Sequence, residues 1–246
     1  MAIVPKHRLA LLGGGFSTDD DGLLDEWMLG HVPAPRPKVC FVPTASGDAP
    51  AYAEQFLTAY RSRPCEPAVL KLFQRELDDD ALRTFLLSQD VIYVGGGNTA
   101  NLLAVWRAHG VDRLLREAFD RGTLLCGISA GANCWAEGSH TDSFGQLTHL
   151  SDGLGLLPGS VCPHYGNEPG RRPSYRAAVA TGALPAGWAV EDGVGALFTE
   201  GRLTDAVTRT PGALLHRVEP DGDGGSREQA LPCRALLAAA RPVSSA

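Results

Sequence analysis

The sequence predicts an α/β protein with three layers, built on a mostly parallel, doubly wound sheet with additional strands toward the C-terminus. Two observations carry that prediction. Short runs of branched and apolar residues alternate with longer amphipathic stretches through the first half of the chain, the pattern of repeated βαβ units. The short runs are also apolar almost throughout, as strands covered on both faces must be.

In order, residues 9–12, 39–42, 69–73, 91–94 and 124–128 read as strands. Residues 22–29, 51–61, 78–87, 99–107 and 111–119 read as the helices between them. In the last helix Val111, Leu114, Leu115 and Ala118 keep the i, i+3, i+4, i+7 rhythm of a buried stripe, with Arg113, Arg116 and Glu117 on the other face. Beyond about residue 138 glycine and proline become frequent and the apolar runs shorten. Residues 154–162, 188–190, 196–199, 206–207 and 213–218 read as further strands, some antiparallel, that complete the same sheet. Asp221-Gly222-Asp223-Gly224-Gly225 reads as an exposed hairpin or loop, and residues 241–246 as a loose tail. With 246 residues and no internal repeat, the chain reads as one domain over 1–246.

Composition narrows the function. Hydrophobic residues make up 44% and charged residues 20%, ordinary for a globular protein, and the net charge is −6. No Lys/Arg cluster could track a phosphate backbone, so nucleic acid is not expected as a partner. The N-terminal stretch lacks the pattern of a signal peptide, and no run reaches the roughly 18 apolar residues of a membrane span, so no membrane partner is expected. The six cysteines are scattered without a C-x-x-C pair, which suggests a reducing cytoplasm. No H-E-x-x-H or comparable ligand set is present, so neither metal nor other cofactor is expected.

In α/β sheets ligands bind beyond the carboxyl ends of the strands. Three such ends carry glycine-rich or polar turns: Gly13-Gly14-Gly15, Gly95-Gly96-Gly97-Asn98-Thr99 and Gly127-Ile128-Ser129-Ala130-Gly131. The third is a G-x-S-x-G turn directly after a buried strand. Flanking glycines permit a sharp turn that projects the Ser129 hydroxyl as a nucleophile, and the N–H of Ala130 can stabilise an oxyanion. A serine-capped strand-to-helix turn would use the same residues without chemistry. Of the seven histidines, His164 stands at a strand end in Pro163-His164-Tyr165-Gly166 and is the leading candidate base, with His140 and His149 as rivals. Glu191 and Asp192 interrupt a strand pattern and are candidates for the acid that orients it. The resulting order, Ser129, His164, Asp192, fits neither the α/β-hydrolases nor the two protease orders with the same triad.

These motifs, taken together with Tyr93-Val94-Gly95-Gly96-Gly97-Asn98-Thr99 and Glu191-Asp192-Gly193, resemble those of the peptidase E family of aspartyl dipeptidases, relatives of the cyanophycinases. The resemblance covers about residues 8–210. It implies a class I glutamine amidotransferase-like (flavodoxin-like) fold, a serine nucleophile at Ser129, His164 as base and Asp192 as acid, with Glu191 the rival. It also implies an oxyanion hole from Gly97, with Asn98, and Ala130. The family commonly has Glu at the acid position, so Asp192 is one methylene short. The implied substrate is a small peptide, a dipeptide with N-terminal aspartate, whose carboxylate Arg171 or Arg172 would meet in the mobile-looking segment 167–173. A monomer or homodimer is expected. The alternatives are a cyanophycinase-like hydrolase of β-aspartyl peptides and a catalytically silent binding module; serine in place of an elbow cysteine speaks against glutamine hydrolysis.

Overall fold

A computed structural model describes residues 7–237. Its first half follows the expected alternation: β1 (Arg8–Leu12), α1 (Leu23–Leu29), β2 (Lys38–Val42), α2 (Pro50–Arg61), β3 (Glu66–Val69), α3 (Asp79–Leu87), β4 (Val91–Val94), α4 (Thr99–His109), α5 (Val111–Arg121) and β5 (Leu124–Ile128). After a short α6 (Ala130–Asn133) come β6 (Ala136–Thr141), β7 (Thr148–Leu150), β8 (Leu157–Pro163), α7 (Arg171–Ala180) and β9 (Gly187–Val190). The remaining elements are β10 (Val194–Thr199), β11 (Arg202–Thr208), β12 (Leu215–Pro220), β13 (Ser226–Leu231) and β14 (Arg234–Ala235).

The C-terminal strands do not all complete the same sheet. The first sheet runs β14-β11-β10-β1-β5-β4-β2-β3 and the second β13-β12-β9-β8-β6-β7. In the first, β1, β5, β4, β2 and β3 are mutually parallel, and β10 joins β1 antiparallel. In the second, β6, β8 and β9 are parallel while β7, β12 and β13 run antiparallel to their neighbours. The alternation of side chains across the central strands explains the layering. Leu9, Leu11, Cys40, Val42, Ile92, Val94 and Leu125 face a core shared with α3, α4, α5 and the second sheet. Ala10, Leu12, Val39, Phe41, Val91, Tyr93, Leu124 and Cys126 face α1 and α2. On its other side the second sheet is covered by α7 through Cys162, Tyr165, Tyr175, Val179 and Ala189.

Two local expectations differ. The third strand lies at residues 66–69, not 69–73, because Leu70 and Leu72 leave the sheet to fill the core, and the carboxylate of Asp48 accepts from the N–H groups of Leu72 and Phe73. Of the segment 167–173, expected to be mobile, residues 171–173 form the first turn of α7; Pro173 stands there, where a missing N–H costs nothing. The glycine-rich segment 221–225 does connect β12 to β13, and the expected tail lies outside the described residues.

Candidate active site

The elbow lies where β5 meets α6. Ser129 has φ 56° and ψ −115°, a strained backbone for a residue with a side chain. Close packing enforces the turn. A methyl group on Gly131 would stand 2.1 Å from the Val94 carbonyl oxygen, so only glycine lets α6 start this near to β4.

The neighbouring strand end supplies the glycine loop. Gly96 runs so near Ser129 that a Cβ there would sit 3.3 Å from Ser129 Cβ. Gly97 adopts φ 137°, and a side chain on it would strike the Ala45 carbonyl at 2.1 Å. The loop is held on several sides: Gly96 N–H donates to Tyr52 Oη (3.2 Å) and Asn98 N–H to the Ala45 carbonyl (2.8 Å). Ser143 Oγ accepts from Thr99 N–H at 3.0 Å, and the Ser143 carbonyl accepts from Asn98 Nδ2 at 2.8 Å. Asn98 Oδ1 in turn caps α4 by accepting from Asn101 N–H (2.8 Å). The Asn98 N–H and amide side chain are therefore engaged in building the loop. Among the described residues, the N–H groups of Gly97 and Ala130 have no hydrogen-bond partner in the protein. Ala130 follows Ser129 directly, and Gly97 follows Gly96, whose backbone runs against Ser129.

His164 follows β8, at φ 57°, and Asp192 lies in the turn between β9 and β10. The His164 Nδ1–H donates to Asp192 Oδ1 at 2.7 Å, leaving Nε2 as the other ring nitrogen. Asn167 Nδ2 donates to Asp192 Oδ2 at 2.5 Å. Burial works to raise the Asp192 carboxyl, but the hydrogen bonds from His164 and Asn167, with the charge of Arg171, outweigh it and hold the group below the usual carboxylate range. The same turn is tied to the first sheet: Gly193 N–H donates to the Gly13 carbonyl (2.8 Å) and Gly13 N–H to that of Val194 (2.7 Å). Gly13 follows Leu12, whose register partner is Ile128, the residue before Ser129. Elbow, glycine loop and the His164–Asp192 pair thus share one end of the strands.

The rival residues are placed elsewhere. Glu191 Oε1 accepts from His216 Nε2 at 2.7 Å, and Glu191 Oε2 from Leu214 N–H at 3.0 Å. His140 is fully buried, with Nε2 2.8 Å from Ser174 Oγ; burial and then Arg171 push its pKa down to about 4, so it is a neutral core residue. His149 lies exposed on β7, paired in register with His140. Arg171 is buried at the start of α7 with Nε 2.7 Å from Glu168 Oε2, and Arg172 stacks 5.5 Å over the Tyr165 ring while pairing with Glu228. Asn167 and Ser143 were not singled out in the sequence. Both act across long chain separations, and no local pattern marks them.

No group of three or more His, Cys, Asp or Glu among the described residues could hold a metal ion, and no described helix is long and apolar enough to cross a membrane.

The model of peptidase family S51 matches residues 9–205. The chain is 44% identical over 214 residues to the uncharacterized peptidase YgaJ of Bacillus subtilis (strain 168), covering 87% of this chain and 92% of that protein. It is 31% identical over 157 residues to peptidase E of Shewanella denitrificans, covering 60% of this chain and 65% of that protein. The crystal structure of a peptidase from an acI-B1 Actinobacterium superposes with a TM-score of 0.66 at 19% identity, over 94% of this chain and 96% of that one, a likeness of fold. The family match spans the elbow, the glycine loop and the His164–Asp192 pair: the chain belongs to peptidase family S51 and is a serine peptidase.

Proposed function

We propose that the chain hydrolyses small peptides, above all dipeptides with an N-terminal aspartate, through an acyl-enzyme on Ser129. The observation that carries the reading is the 2.7 Å bond from His164 to Asp192 at the strand ends where the strained Ser129 projects. In this reading His164 Nε2 takes the hydroxyl proton as Ser129 Oγ attacks the peptide carbonyl. Ionised Asp192 stabilises the imidazolium that forms. The N–H groups of Gly97 and Ala130 receive the oxyanion. Collapse of the tetrahedral intermediate breaks the C–N bond, and His164 gives its proton to the leaving amine. A water, deprotonated by the same imidazole, then attacks the acyl ester and restores Ser129.

The aspartate preference rests on Arg172, since Arg171 is buried and held by Glu168. Arg172 carries a half-exposed guanidinium at the edge of the His164 turn, and the charge of Arg171 reaches Asp192 from within. A substrate carboxylate would compete with Glu228 for Arg172.

The test combines labelling and turnover. A fluorophosphonate should label the wild type and not Ser129→Ala, with circular dichroism unchanged; labelling of Ser129→Ala, or none of the wild type, would overturn the serine mechanism. On a panel of Asp-X and Ala-X dipeptides and β-aspartyl-arginine polymer, Asp-X should be cleaved fastest. Arg172→Ala should raise KM for Asp-X about tenfold, the loss of one charge-assisted contact, and leave Ala-X unchanged. Equal rates on Asp-X and Ala-X would remove the aspartate preference while leaving the serine mechanism standing.

A further inference from the structure

Glu191, the acid that His164 does not use, belongs to a second polar chain directly behind the first. Its carboxylate joins His216 Nε2 at 2.7 Å, and His216 Nδ1 lies 3.4 Å from Glu228 Oε1, a contact without hydrogen-bond alignment. Glu228 accepts from the hydroxyl of Tyr165 and pairs with Arg172 at the surface. The inner members are shielded from water: side-chain exposure is 3% for His216, 11% for Glu228 and 18% for Glu191, and Tyr165 is buried. Interactions in such surroundings are stronger, and an unpaired member is costly.

The two ends of this chain are the immediate neighbours of the two residues that must meet. Tyr165 follows His164, and Glu191 precedes Asp192. Tyr165 N–H also donates to the Val190 carbonyl at 3.2 Å. The Glu191 side chain packs on Gly166 so closely that a Cβ there would lie 3.3 Å from Glu191 Cδ. On its other side the Glu191 carbonyl would stand 2.1 Å from a Cβ on Gly13. His164 itself holds a left-handed backbone, φ 57°, which persists only where the surroundings over-determine it.

We infer that Glu191 and His216 are positioning residues for the peptidase reaction: their bond, with His216 packed against Glu228 and Glu228 in turn bonded to Tyr165, clamps the His164 turn against the Asp192 turn and keeps His164 Nδ1 within reach of Asp192 Oδ1. This rests on the triad reading of His164 and Asp192. Neither residue touches substrate. The clamp acts by holding the imidazole at the angle the nucleophile needs, where a misplacement of about 1 Å costs on the order of 100-fold in rate.

The experiment uses the full chain and the variants Glu191→Gln and His216→Gln, with Glu219→Gln as control. Glu219 bridges β12 and β13 through Arg217 and Arg227 at the surface, away from the site. Two readouts are taken: kcat and KM on the best dipeptide, and the downfield proton resonance of the short His164–Asp192 hydrogen bond. Glu191→Gln and His216→Gln should lower kcat 10- to 100-fold with KM within twofold, and should shift or broaden the resonance while the protein stays folded. Glu219→Gln should change neither. An intact resonance and full kcat in both variants would overturn the inference. So would loss of activity matched by equal loss in Glu219→Gln, which would mark general weakening of the sheet. The resonance is read without turnover, so a wild type that keeps it but hydrolyses no peptide would count against the proposed function and leave the clamp standing.

Discussion

Glu191 and Asp192 are adjacent in the chain, yet their carboxylates hold different histidines at the same 2.7 Å distance: Asp192 holds His164 and Glu191 holds His216. Successive residues at the end of a strand point to opposite sides, so one serves the cleft and the other the interior. The shorter aspartate suffices because the His164 turn is drawn up against it, with Tyr165 N–H on the Val190 carbonyl.

Asp192→Asn is expected to lower kcat by about 1,000- to 10,000-fold with little change in KM, because an amide stabilises the wrong tautomer and no imidazolium. Since the Asp192 carboxyl lies below the usual carboxylate range, it stays ionised across the working pH. Its own titration therefore does not set the acidic limb of a pH–rate profile. A wild-type profile compared with that of the variant checks both points.

The glycine loop gives a graded test of geometry. Gly96→Ala should fold, since the new methyl faces Ser129 Cβ at 3.3 Å across the cleft, but should lose most of kcat/KM by crowding the nucleophile. Gly97→Ala puts a methyl 2.1 Å from a backbone oxygen at φ 137° and should cost about 2 kcal/mol or more of stability. Chemical denaturation beside steady-state kinetics separates the two.

Stability against pH should show two opposed slopes. Burial raises Asp25 from 3.8 to about 6, so its folded form binds the proton more tightly than the unfolded chain. That contribution is full below pH 4 and lost as pH rises through 6. His140, lowered from 6.5 to about 4, contributes stability that is full above pH 6.5 and lost as pH falls through 4. Each shift corresponds to about 3 kcal/mol, so across pH 4–6.5 they largely cancel. In Asp25→Asn the His140 slope should stand alone, with stability falling on acidification. Thermal melts at pH 4, 5, 6 and 7 read it directly, and an unchanged profile in Asp25→Asn would remove Asp25 from the account.

What was legible in the sequence followed from burial. Strands such as Val91–Val94 and Leu124–Ile128 are covered on both faces and read as unbroken apolar runs. Strand β6 was missed because its buried positions include the polar residues Ser139, His140 and Thr141, which break the apolar run by which a covered strand is read. Edge strand β3, with Pro67 inside it, needs apolar residues on neither flank. Ser129 and His164 announced themselves through strand-end turns. The division of labour between Glu191 and Asp192 could not be read, because it is decided by His216, Asn167 and Leu214 at separations of more than twenty residues.

The chain crosses from the second sheet back to the first at Asp192, and β10 then enters beside β1, a strand built some 180 residues earlier. On the proposed mechanism, a polypeptide emerging from the ribosome therefore presents Ser129 long before the His164–Asp192 pair that would arm it. On that mechanism the growing chain would carry a dormant hydroxyl until the late strand inserts, and competence to cut peptides would arrive only with the closing of the whole architecture.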